Sequence, residues 1–382
     1  MAWKPLHAKH SAAPSRICRR RASRCSWDTP ERAQRRRPVA VVVLVPRLAA
    51  LALWAFAWPA ARTAPRQLPL GVAGPTAATA QLEGPLEQQK GTFEIHPYAD
   101  GAAARGAMED RTVYGAAVVT PPGPELLTAS AAGPVVAQLL QQAVARQASA
   151  EGTRIRTIDV VAAPANDPRG AALNAGVLPL ALAGIAAGSV VTMTGLRHPR
   201  AVAALIGAAA PVGATAAGIA HSRLGVLTGD WWAEAGVLGL TTLAVSAAVA
   251  GLGALFGQTG IGIGAGTVLF GSPFSGAPSA PQMLPEPVGT IGQWLPPGAG
   301  TTLLRSVSFF DGAAATGPAR TLTWWAPVGP GWLTAVHPRC SGRGRTVCAL
   351  PRRRRSRGGA PRHRSAAVRG ERTPPLGRWR PR

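Results

Sequence analysis

LNAGVLPLALAGIAAGSVVTMT, residues 173–194, holds no Asp, Glu, Lys or Arg. A charge-free stretch of about 20 residues is what the hydrocarbon core of a bilayer selects for a helix. Similar text lies on either side. Ala201–Ala220 follows it, and Glu234–Phe256 comes next, entered beside Trp231-Trp232, a pair suited to a membrane interface. Upstream, Val39–Ala61 follows Arg35-Arg36-Arg37; Pro46 and Arg47 are expected to break that run. Gly257–Phe270 is short and Gly-rich and is taken as a fifth span. Ala313–Val336 contains Arg320, Pro327 and Pro330 and makes a degraded sixth. The pattern predicts a membrane all-α helical bundle of about six spans. A cleavable signal peptide ending near Ala60-Ala61 is the competing reading of the first run, and the spans that follow favour retention.

The formal net charge of +24 belongs to the ends of the chain. Residues 1–38 hold eleven Lys/Arg against two Asp/Glu, and residues 337–382 hold fifteen Arg against one Glu. Both tails are rich in Arg, Pro and Ser and lack hydrophobic periodicity, so both are expected to be disordered. The second tail reads either as a basic segment against anionic headgroups or as the out-of-frame text of a GC-rich gene. No basic stripe lies on a foldable segment, which argues against nucleic acid as a partner. Cys18, Cys25, Cys340 and Cys348 all sit in the tails, without metal-ligand spacing.

Residues 62–172 are polar and form a separate domain inserted after the first span. Thr92–Tyr98, Thr112–Thr120 and Arg154–Ala162 read as strands, while Ala102–Asp110 and Gly133–Ala150 read as helices. That alternation predicts a small α/β or α+β module. The arginines of the first tail and of the loop Gly195–Arg200 mark the cytoplasmic side. The N-terminus is therefore expected inside and residues 62–172 outside, with residues 173–336 forming the rest of the bundle in a cell membrane.

Little in the sequence carries chemistry. There is no phosphate-binding loop, no G-x-S-x-G elbow and no metal cluster, so neither an enzyme nor a cofactor is expected. Gly260–Gly266 has the outline of a dinucleotide loop, but close helix packing accounts better for its small residues. His96, His198 and His221 are scattered over different segments. Asp230 and Glu234 read as a solvated helix start, with cation or proton binding as the alternative. Residues 272–312 hold seven prolines before Gly298 and cannot form one regular span; they are expected to fold as a re-entrant cap on the outer face. Pro273, Gly276, Pro285, Pro296, Pro297 and Gly298 are the candidate outer gate, weighed against a static plug. Gly298 is expected to need a positive φ after Pro296-Pro297.

The same region carries a resemblance. Gly271–Gly276, Met283–Pro287, Leu295–Gly298 and Phe309–Gly312, in that order, resemble the closing region of export-type ABC transporter permeases, specifically the phage-infection-protein (YhgE/Pip-like) membrane proteins of Gram-positive and actinobacterial genomes. Asp110–Gly115 and Leu126–Gly133 resemble the exterior domain of that family. The resemblance runs from about Pro38 to Gly317. It implies a six-span permease that moves a hydrophobic or amphipathic substrate, with a separate ABC ATPase as partner besides the lipid bilayer; a homodimer stays open. Arg197, His198 and Arg200 would then form the coupling loop. The alternative is a non-transport surface protein, a phage receptor or an envelope scaffold.

Overall fold

The computed structural model describes residues 30–76, 79, 91–152, 154–196, 199–277 and 279–335. The tail residues 1–29 and 336–382, with all four cysteines, lie outside them, as do Arg197 and His198.

A long helix α1 (Pro30–Ala61) leads into a five-stranded sheet. Its strands are β1 (Leu68–Ala73), β2 (Phe93–Tyr98), β3 (Gly115–Thr120), β4 (Gly123–Thr128) and β5 (Arg156–Asp159), in spatial order β2-β1-β3-β4-β5. All neighbours are parallel except the β3–β4 hairpin. Helix α2 (Gly101–Glu109) joins β2 to β3, and α3 (Pro134–Glu151) joins β4 to β5. Alternation along each strand sends side chains to two cores. Ala73, Ala116, Val118 and Leu127 pack with Ala104 and Met108 of α2. Leu68, Leu70 and Leu126 pack with Val136 and Leu140 of α3. The module is thus a mixed α/β sheet with a helix on each face.

The remaining helices are α4 (Ala171–Met193), α5 (Pro199–Ala217), α6 (Trp231–Phe256), α7 (Gln258–Gly271), α8 (Val288–Trp294), α9 (Pro296–Phe309) and α10 (Thr316–Ala335). Among the described residues four helical stretches are long and apolar enough to cross a membrane: Val42–Ala61, Ala171–Met193, Pro199–Arg223 and Trp231–Phe256. The last is the axis of the bundle, 61% of its apolar window being inside the molecule against 11% for α1. Helices α4, α5, α7, α9 and α10 all pack on α6.

Small residues make that packing close. Buried residues on α5 recur every four positions: Ala201, Leu205, Ala209, Gly213 and Ala217. A methyl group on Gly213 would lie 2.5 Å from the Ala235 carbonyl oxygen on α6. Gly184 and Gly188 do the same for α4 against Val245 and Ser246, and Gly260 and Gly264 for α7 against Leu252 and Val249. Without a hydrophobic force between helices in lipid, such close approach is what holds a bundle together.

Several expectations are corrected. Helix α1 starts at Pro30, inside the segment expected to be disordered up to residue 38, because Glu, Gln, Ala and Arg favour helix. It also runs through Pro46 without a break, and Arg47 is exposed on its surface. A proline removes one N–H, which a 32-residue helix tolerates when the flanking turns are intact. The fifth run is a 14-residue helix, α7, about 21 Å long and so shorter than a ~30 Å hydrocarbon core. Strands β1 and β4 have no counterpart among the expected elements.

Candidate functional site

Pro179 on α4 and Pro211 on α5 lack the N–H that a helix interior uses, and both face a common cavity of about 540 Å³. Its walls are α4, the C-terminal half of α5, α6 and the first turns of α9. Leu180, Val212, Leu238, Val245 and Leu304 are among the lining side chains, and Thr215, Thr241 and Thr301 supply its few hydroxyls. Of these, Thr241 already donates to the Val237 carbonyl and Thr301 to that of Gly298. The cavity therefore offers apolar contact and few free polar groups. Its size is that of a site for a drug-sized or lipid-like molecule.

The ends of its walls are built from unusual local structure. Asp167 caps α4 by accepting the backbone N–H groups of Ala171, Ala172 and Leu173 at 2.7, 2.9 and 3.1 Å. Helix α5 ends in a π-helical turn, Gly218–Arg223, whose Ile219 and Ala220 line the cavity. That turn carries His221. Its Nδ1 lies 2.8 Å from Oε2 of Glu234, which is completely buried one turn before the lining residue Leu238. The Gly229 N–H donates to the other carboxylate oxygen at 2.9 Å.

The sequence sets His221 aside as isolated and reads Glu234 as solvated; the structure corrects both. Asp230 and Glu234 divide the two readings between them. Asp230 is exposed and caps α6 through the Ala233 N–H, whereas Glu234, one turn further, points inward. No linear signal joins positions 221 and 234, because the loop between them reverses the chain.

The Pro/Gly-rich segment lies between the sheet module and the bundle. Residues 273–275 and 281–283 form 3₁₀ turns, and Ala280 and Met283 enter the core beneath α3. Gln282 accepts from the Tyr114 hydroxyl at 3.0 Å, and the Met283 carbonyl accepts from the Ala64 N–H at 3.1 Å. Arg111 donates to the Thr302 carbonyl and to Ser306 Oγ and covers the Phe310 ring. Arg305 is 5% exposed and donates to the Ala277 carbonyl. Neither arginine has an ion-pair partner among the described residues.

The candidate gate residues do not converge. Pro297 lines the large cavity, while Pro296 lies at a much smaller one beside Trp325. Pro273 opens a 3₁₀ turn, and Gly276 closes it with φ +67°. The Pro285 carbonyl receives the N–H groups of Val288 and Gly289. Gly298 has no positive φ; it sits in the first turn of α9, where a methyl would fall 2.0 Å from the Gly292 carbonyl oxygen. Its requirement is close approach, not backbone freedom. Arg200 is exposed at the start of α5. Compared with models of known families, with curated proteins and with solved structures, the chain matches none of them.

Proposed function

We propose that this is an integral membrane, permease-like protein that holds a hydrophobic or amphipathic molecule in the cavity between α4, α5, α6 and α9. The observation that carries the reading is that cavity, apolar and walled by three of the four helices fit to cross a bilayer. In this reading the N-terminus is cytoplasmic and the sheet module extracytoplasmic. The chain crosses six times. Helices α7 and α9 supply the fifth crossing as two half-helices: α7 packs along the C-terminal half of α6 and α9 along its N-terminal half. Helix α10 supplies the sixth. A discontinuous helix beside a substrate cavity is a recurring arrangement in transporters. Energy comes from a separate ATPase engaging the loop around Arg200, as the resemblance to export-type ABC permeases implies.

The test is binding of a hydrophobic fluorophore, N-phenyl-1-naphthylamine, to the purified full chain. Gly176 lines the cavity, and a methyl group placed on it would have no atom within 4 Å, so Gly176→Phe fills the space without a clash at its base. The variant is expected to lose at least about tenfold in affinity, about 1.4 kcal/mol, with unchanged membrane yield. No saturable binding by the unaltered chain would overturn the reading.

A second reading, a surface receptor or scaffold, rests on a different observation. A cavity of about 500 Å³, more polar than the one in the bundle, lies at the C-terminal ends of β1, β2 and β3, beside Arg105 and Glu125. Ligands of open α/β sheets bind at such strand ends. A phenotype abolished by Arg105→Ala and untouched by Gly176→Phe would favour it.

A further inference from the structure

A carboxylate that no water reaches, at the end of a helix able to span a bilayer, is costly unless something neutralises it. Glu234 is in that position, and its two oxygens are fully assigned: one to the Gly229 N–H, the other to His221 Nδ1. His221 is half-buried, its side chain 31% exposed, so the pair touches solvent on one side only. Other ionisable groups on the elements packed around it are spoken for or face outward. Arg223, Asp230, Asp311 and Arg320 are exposed; Asp167 caps α4 and Arg305 binds the Ala277 carbonyl. None of them forms an ion pair with Glu234 or His221 among the described residues.

We infer that Glu234 and His221 form a proton-binding site that controls access to the apolar cavity, a reading that rests on the cavity being the substrate site. With one proton shared between imidazole and carboxylate, the pair carries a net negative charge inside the bundle. A second proton, taken from solvent on the His221 side, leaves the pair electrically neutral overall. The neutral pair tolerates the dry position, whereas the charged pair draws water towards it.

The consequence reaches the cavity through short connections. His221 is part of the π-helical turn that brings Ile219 and Ala220 to the wall, and turns of that kind often sit at functional sites. Gly229 ties the carboxylate to α9, since a methyl there would fall 2.4 Å from the Val307 carbonyl oxygen. Thr228 donates to the Ser308 carbonyl at 3.1 Å. Hydration of Glu234 therefore loosens the turn of α5, which borders the cavity, together with the end of α9, whose earlier turns border it. Protonation closes the mouth and retains an apolar molecule; loss of the proton opens it.

Two measurements on the purified full chain test this. The first is N-phenyl-1-naphthylamine affinity at pH 5.5 and pH 8. The unaltered chain is expected to bind about 5- to 150-fold more tightly at the lower pH, the usual range of coupling between two sites. Glu234→Gln keeps an acceptor for Gly229 and a donor for His221 without the charge, and should bind at both pH values with the affinity the unaltered chain shows at pH 5.5. The second is the infrared difference spectrum between the same pH values, which needs no ligand. Carboxyl and imidazole bands should be present in the unaltered chain and reduced in both Glu234→Gln and His221→Gln. Equal affinity at both pH values in the unaltered chain, or infrared bands undiminished by both substitutions, overturns the inference. Absence of any fluorophore binding with the infrared bands intact would instead remove the cavity reading while leaving the proton site.

Discussion

A methyl group added to Gly188 would lie 2.5 Å from the Ser246 carbonyl oxygen and 2.9 Å from Val249 Cβ, both on α6. Neither atom belongs to a flexible side-chain end, so the two helices must separate. Gly188→Ala is expected to destabilise the bundle by about 1–3 kcal/mol, the usual cost of overpacking. Gly207, on α5, has nothing within 4 Å of the same methyl position. Gly207→Ala should be neutral or stabilising by up to about 1 kcal/mol, since it only removes unfolded-state freedom. Thermal unfolding in detergent, read on both variants, checks the contrast; equal midpoints would refute it. The same reasoning changes the meaning of Gly298. A leucine there collides with the Gly292 carbonyl, so loss of function in Gly298→Leu reports broken packing and cannot separate a gate from a plug. Membrane yield of Gly298→Ala is accordingly expected to fall as well. Close packing was legible in the sequence for the small residues of Gly260–Gly266 and not for the glycines of α4 and α5. The partner of each was not legible, because contact between helices is set by rotation and depth, which composition leaves open.

Helix α4 begins where Asp167 gathers three backbone N–H groups, which would otherwise be unpaired at its start. Asp167→Ala should cost about 0.5–2 kcal/mol and fray the turn carrying Leu173, a cavity-lining residue. Faster amide exchange at residues 171–174, with the rest of α4 unchanged, is the expected signature; uniform exchange along α4 would argue against a local cap. At this scale the long apolar helices were legible, since length and absence of charge suffice. The sheet was only half legible. β2, β3 and β5 carry β-branched or aromatic residues, but β1 reads Leu-Pro-Leu-Gly-Val-Ala, with two residues that strands avoid. The structure explains both exceptions. Leu68 donates its N–H to the Thr92 carbonyl on the β2 side, so the nitrogen of Pro69 faces β3, and pairing there starts only at Gly71. Gly71 is required because a methyl would meet Ala116 Cβ at 3.0 Å and the Tyr98 ring at 3.2 Å. In β4 a half-buried proline and glutamate stand at the hairpin end, and Leu126, Leu127 and Thr128 are buried, Leu126 and Leu127 joining the cores on opposite faces.

Across the whole molecule, the ends of the helices sort into two groups. The C-terminus of α1 reaches the sheet module's side, where Ala64 bonds to the Met283 carbonyl in the segment beneath α3. The start of α4 and the end of α5 lie there too, joined by the Asn166 side chain donating to the Leu224 carbonyl at 3.1 Å. So does the start of α6, through Thr228 and Ser308. The opposite end holds the C-termini of α4 and α6, where Gly253 packs on Thr192, and the turn into α7 at Gly257. In the proposed topology, an up-and-down path of this kind has the sheet module on one side of a bilayer and Thr194 and Arg200 on the other. In the proposed orientation the side is assigned from charge: Arg35–Arg37 lie in the first turns of α1 and Arg200 at the start of α5, and arginine-rich short loops stay in the cytoplasm. Ala102, on α2, and Thr194, after α4, are both exposed. With the four native cysteines replaced by serine, Ala102→Cys should react with a membrane-impermeant thiol reagent in intact cells. Thr194→Cys should react only after permeabilisation. Labelling of Thr194→Cys in intact cells with protection of Ala102→Cys would invert the orientation while leaving the two-ended bundle in place. Labelling of both would contradict a bilayer between them, because α4, which joins the two ends, could then not lie in lipid along its length.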